Sequence, residues 1–288
     1  MPIYAPTLPP RPALDQGQPP ALVMLRFDLR RVLRLKLGRF FGFAFILILL
    51  IQCVWLYAQY LMGSNSAFAT LKPLAEQFLP QGAAFQAKLL HPAMLSLLWL
   101  QVALVGGGLV ARDTLYRIRP LLYAHPVSRW DYLTGKTLFA AGLPLAIQLP
   151  YILLPWLLSL ALAGPRGPVW LSAPLHLVPA ALIIACLMGA VTLGASSMAS
   201  SPKAGFGWAL GVLIGSSALG QVLATALGDT RWMALNLGTL TDAWPQLLCG
   251  APGRYGLGWG PVIAGTAAHL GFWTWIAIRR TRPSEATQ

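Results

Sequence analysis

The stretch FFGFAFILILLIQCVWLYAQYLM, residues 40–62, holds no charged side chain and follows directly on Arg34, Lys36 and Arg39. As a helix it rises about 35 Å, enough to cross a hydrocarbon core of about 30 Å. Water could not solvate such a segment, so lipid must. The basic flank marks it as an uncleaved first span and not a signal peptide.

The same reading repeats along the chain. Apolar runs at 93–111, 137–163, 174–199, 204–227 and 261–278 each approach or exceed the spanning length, giving six spans within 40–280. Pro144, Pro150 and Pro155 predict kinks or breaks in the third. Composition agrees: 56% of the 288 residues are hydrophobic, only 10% are charged, and the mean hydropathy is +0.62. Soluble domains carry about 25% charged residues, so this chain could not cover a water-facing surface. The fold class is an all-α membrane protein.

The net charge of +13 follows the spans. Of the 21 Lys and Arg, 16 fall at the start, between spans two and three, between four and five, or after span six. The opposite segments hold five: Lys72, Lys88, Arg166, Arg231 and Arg254. That bias puts both termini in the cytoplasm. It also accounts for the charge without a nucleic-acid partner, for which a soluble basic domain would be needed.

Residues 1–20 are proline-rich without an apolar core and read as a disordered cytoplasmic tail; 281–288 read as a cytoplasmic tail. Residues 21–39 read as an amphipathic helix in the cytoplasmic interface. Arg26, Arg30 and Arg34 form one row for lipid headgroups; Leu22, Leu25, Leu29, Val32 and Leu33 form an apolar face.

The connector from Ala111 to Lys136 is longer than a turn requires and mixes charges with leucines and aromatics. It reads as a short docking helix with Asp113 at its N-terminus, closed by Pro126. Ser128 and Asp131 then form a capping box that starts the next span. The Arg112-Asp113 pair, followed by Leu121-Leu122-Tyr123-Ala124-His125-Pro126-Val127-Ser128-Arg129 and Tyr132…Gly135-Lys136, resembles the permease subunits of ABC-2 type transporters. The six spans and the preceding amphipathic helix extend the resemblance over nearly the whole chain. It departs from the family at Thr114-Leu115-Tyr116-Arg117, where an acidic residue and glycine are common, and at His125 before the proline. The resemblance therefore implies a class and no particular cargo.

What the resemblance implies is specific. The segment after span two becomes a coupling helix seated on a separate ABC ATPase subunit, with Asp113, Arg117, Arg119, Leu121, Leu122 and Tyr123 as contacts. ATP and magnesium belong to that partner. A second permease copy or a homologous permease completes the pathway, in the cytoplasmic (inner) membrane of a bacterium. No cofactor, metal or catalytic residue is expected on this chain.

Rival chemistries are weaker. Gly135-Lys136-Thr137 ends like a Walker A motif, but Trp130 occupies the position of its first glycine. Ser196 and His269 resemble a rhomboid-type serine–histidine pair, yet Ser196 lacks the following glycine and lies near its span's end while His269 lies mid-span. Cys53, Cys186 and Cys249 share no short spacing, against a zinc site or disulfide framework. A non-transporting membrane scaffold of the same fold is a further alternative.

Gly207, Gly211 and Gly215 recur every four residues and predict close helix packing, within the bundle or against a second copy. The segment 228–260, with Trp232, Trp244, Tyr255 and Trp259, reads as a re-entrant hairpin with interfacial aromatics. No buried charge is evident in the spans, which disfavours an ion pump and favours a lipid-like, hydrophobic or neutral cargo, or none.

Overall fold

The computed structural model of the chain describes residues 19–64, 82–118, 128–163, 169–253 and 255–281. Among these residues every regular element is helical, and six helices are long and apolar enough to cross a membrane. The chain has the architecture of an integral membrane protein.

Helix α1 (Pro20–Arg34) precedes α2 (Lys36–Ser64), the first span. The second span is built from α3 (Gly82–Ala87), α4 (Pro92–Gly106) and α5 (Leu109–Leu115). Then come α6 (Arg129–Ala163), α7 (Ala173–Met198) and α8 (Pro202–Leu227). A 3-10 helix (Thr230–Leu235) and α9 (Leu237–Cys249) lead to the last span, α10 (Trp259–Arg280).

The outer surface of α2 shows why lipid is its solvent. Phe40, Phe43, Ile46, Leu50 and Val54 are all exposed, a belt that would be untenable in water. Helices immersed in lipid gain no hydrophobic drive to associate, so they depend on close packing of small residues. Helix α7 is built that way and lies at the centre, against α6, α8, α9 and α10. Ala180, Ala181, Ala185 and Ala195 are fully buried on it. A Cβ at Gly189 would stand 2.9 Å from Ala141 N on α6, and one at Gly194 would stand 2.7 Å from the Trp273 ring on α10.

Several expectations need correction. The amphipathic helix stops at Arg34, because Leu35 is extended; Lys36 to Arg39 already belong to α2. At that corner a Cβ on Gly38 would stand 2.2 Å from Val32 O, so only glycine lets the chain turn so tightly. Helix α6 runs unbroken through Pro144, Pro150 and Pro155. Neighbouring helices can sustain proline in a span; beside Pro150, Tyr151 OH ties α6 to α2 by donating to Phe45 O at 2.5 Å.

Between spans five and six, α9 packs on α7 through buried Leu237, Leu240 and Trp244. Trp244 is not an interfacial anchor: its Nε1 donates to Thr266 Oγ1 of α10 at 3.0 Å. Trp232 and Trp259 are exposed.

Gly207, Gly211 and Gly215 meet nothing within 4 Å among the described residues, so their expected role inside the bundle is not realised. The close approach falls instead at Gly205, where an added Cβ would lie 1.8 Å from Gly107 O. Gly205→Ala is expected to cost about 1–3 kcal/mol through forced separation of α8 from the second span. Gly211→Ala should be neutral or slightly stabilising, since alanine favours helix. Thermal unfolding of both variants in detergent checks this; equal losses would reject the assignment of the contact to Gly205.

Candidate functional site

The segment singled out by the sequence lies between α5 and α6 in the chain. Its centre, including Arg119, Leu121, Leu122 and Tyr123, lies outside the described residues. The structure does define both anchors of that segment, and they form one polar junction.

The first anchor is the broken end of the second span. The helix interrupts at Gly106-Gly107-Gly108, which leaves backbone groups of a new helix N-terminus without intrahelical partners. One side chain from α7 meets them. Ser196 Oγ accepts from Val110 N at 2.9 Å and Ala111 N at 3.1 Å, and donates to Gly107 O at 2.8 Å. Ser196 is completely buried. Below it α5 ends in a turn: Tyr116 N and Arg117 N donate back to Arg112 O and Thr114 O. Arg117 adopts a left-handed backbone (φ 50°), the usual way a helix stops, and its side chain is exposed.

The second anchor is the start of α6. Ser128 and Asp131 make the reciprocal cap: Asp131 N donates to Ser128 Oγ at 3.0 Å, and Ser128 N donates to Asp131 Oδ2 at 3.0 Å. The Arg129 guanidinium donates to Ile278 O, tying this end to the last turn of α10.

Between the anchors sits a cluster of buried charge. Lys136 Nζ lies 2.9 Å from Asp28 Oδ2 and 3.0 Å from Asp113 Oδ2. Tyr132 OH donates to the same Asp113 oxygen at 2.9 Å. Asp28, Lys136 and Asp113 are respectively 3%, 5% and 9% exposed, so this is an internal cluster of one cation and two anions. It joins three elements: α1 through Asp28, the tail of span two through Asp113, and α6 through Lys136. Burial raises the Asp28 pKa, opposed by the Lys136 ammonium and its hydrogen bond; Asp113 raises it further and Arg112 lowers it.

Gly135 explains the neighbouring glycine. A Cβ there would stand 3.0 Å from Ala21 O and 3.1 Å from Met24 Cβ, so glycine lets α1 lie directly on α6. The Gly135-Lys136 pair thus serves as a seat and a tether for α1.

These positions revise the expected site. Asp113 does not open a docking helix; it sits in the last turn of α5 with its carboxylate turned inward, because Tyr132 and Lys136 supply its partners. Buried charge is present at the ends of the spans, against the expectation of none. Arg26, Arg30 and Arg34 are exposed on α1, beside exposed Leu22, Leu29 and Leu33; Val32 points inward instead. Asp28, Lys136, Tyr132 and Ser196 as a junction were not anticipated. One signal was available: Tyr132 and Lys136 are four apart and share a helix face, which calls for an acidic partner.

The serine–histidine pair is not assembled as a dyad. Ser196 is bonded to the second span, and His269 Nε2 lies 3.0 Å from Leu235 O. Among the described residues no group of three or more His, Cys, Asp or Glu gathers to hold a metal.

This chain matches no protein-family model, and no curated protein matches it significantly.

Proposed function

We propose that the chain is the transmembrane permease subunit of an ABC-2 type exporter, coupled to a separate ATPase subunit through residues 113–125. Both termini face the cytoplasm of a bacterial inner membrane. The junction carries the reading. The helix that ends at Arg117 and the capped helix that starts at Arg129 bracket this segment, and both are fixed to the bundle. A segment held at both ends by rigid elements delivers force to them; a loosely tethered loop would absorb it.

In this reading the ATPase dimer closes on ATP and magnesium, pushes on the segment, and moves the spans. Arg117, Arg119, Leu121, Leu122 and Tyr123 make the contact, and Asp113 anchors its base from within. Arg26, Arg30 and Arg34 rest against anionic headgroups, with Leu22, Leu29 and Leu33 dipping into lipid. The glycine row of α8, open along its length, receives a second permease copy, and the pathway runs between copies. The hydroxyl of Ser196 is spent on backbone groups, which favours packing over nucleophilic chemistry.

Purification from native membranes in mild detergent tests the reading. A soluble subunit bearing a Walker A motif is expected to accompany the chain. Leu121→Asp with Leu122→Asp should weaken its capture by about 30-fold or more, the effect of losing a hot spot worth about 2 kcal/mol. A complex without any nucleotide-binding subunit leaves a membrane scaffold as the better account.

A further inference from the structure

The cluster at Asp28, Lys136 and Asp113 does more than close a gap between helices. We propose that Lys136 is the positioning residue that makes α1 and the base of the 113–125 segment one mechanical unit, so that load on that segment is delivered to α1 and span one. The inference deepens the coupling reading and rests on it for the source of the load; the linkage itself does not depend on it.

The geometry supports a transmitting joint. The Lys136 ammonium contacts one carboxylate from α1 and one from the second span, at 2.9 and 3.0 Å, and among the described residues no backbone hydrogen bond joins those two elements. Buried charge pairs resist separation, because opening one strands an ion in a medium that cannot solvate it. Beside the ion pairs, Val32 of α1 and Leu109 of the second span share an apolar cluster with Phe139 and Ala140; that contact is non-directional, whereas the ion pairs fix the relative position of the two elements. Gly135 removes the side chain that would hold α1 off, and the α1–α2 corner at Gly38 is equally tight, so motion of α1 passes to the first span. The Tyr132 hydroxyl on Asp113 keeps that carboxylate aimed at Lys136.

The charge count supplies a variant that cuts the joint and spares the fold. Two carboxylates share one ammonium, so Asp28→Leu leaves a balanced Lys136–Asp113 pair. Lys136→Gln strands both acids.

The test is amide exchange on the full chain in nanodiscs of phosphatidylglycerol and phosphatidylethanolamine, alone and with the co-purified ATPase. In the wild-type chain alone, amides of 21–34 and 109–117 should open together. In Asp28→Leu the α1 amides should exchange roughly tenfold faster with 109–117 unchanged. Adding the ATPase should slow α1 exchange in the wild type and leave it unaltered in Asp28→Leu. A protection of α1 that persists in Asp28→Leu means direct contact and overturns the proposal. So does separate opening of α1 and 109–117 in the wild-type chain alone. If no ATPase co-purifies, the coupling reading fails, yet the measurement on the chain alone still decides the linkage.

Discussion

Lys136→Gln is expected to lower the stability of the purified chain by about 3–5 kcal/mol near neutral pH, because it leaves two buried carboxylates without their cation. In the wild type both carboxylates approach a single ammonium, at 2.9 and 3.0 Å, with the Arg112 guanidinium acting on Asp28 from further off. Removing that ammonium places two acids side by side in a cavity that water barely reaches. The loss should therefore shrink as pH falls and protonation relieves Asp28, whose pKa burial already raises. The wild type has a milder slope of the same sign. Burial and Asp113 raise the Asp28 pKa in the folded chain, so its contribution to stability is complete below the ordinary aspartate value and is lost as pH rises through the folded one. Asp28→Asn removes that slope and costs little, since Lys136 keeps one carboxylate. Thermal unfolding of the three chains at pH 5 and 7.5 checks the set. Equal losses for Lys136→Gln at both pH values would contradict the stranded-charge account.

The contrast between what was legible in the sequence and what was not follows from the range of the interactions. Hydropathy is local, so six spans stand where the apolar runs from residues 40, 93, 137, 174, 204 and 261 predict, although the second and third helices begin well ahead of their runs, at Ala83 and Arg129. The Ser128–Asp131 cap is local too and forms as read. The ion cluster is not. Asp28 and Lys136 are separated by 108 positions, and Lys136 read as one more positive charge at a span end. Asp113 illustrates the cost: as an acid after an apolar run it reads as a helix start, until Tyr132 and Lys136 are placed against it. Glycines fail for a related reason. A four-residue repeat identifies a groove on α8 without saying which face meets a neighbour in the same chain. Gly205 lies two residues before the repeat begins, on the face that touches Gly107, while the repeat itself stays open.

The Ser196→Ala substitution should destabilise the chain by about 3–5 kcal/mol, although it removes a single oxygen. Each stranded buried polar group costs about 1–3 kcal/mol, and this hydroxyl serves three: the amides of Val110 and Ala111 and the carbonyl of Gly107. No helix partner can replace it, because the break at Gly106-Gly107-Gly108 is what freed those groups. Thr192 cannot substitute either, since its hydroxyl already donates to Met188 O at 2.8 Å. The damage has a direction. With Ser196 gone, α5 loses its hydrogen-bonded tie to α7 and keeps the ion cluster and the apolar contacts of Val110 with Leu193 and Ala277. Amide exchange should rise first at 109–117 in Ser196→Ala, with α1 following through Lys136. Ser196→Thr retains the hydroxyl and tests whether the bonds or the volume matter, because the site is fully buried and an added methyl must find room. A Ser196→Ala chain as stable as the wild type would mean that the second span re-forms a continuous helix through the three glycines, and that the break is a preference of packing instead of a hinge fixed by α7.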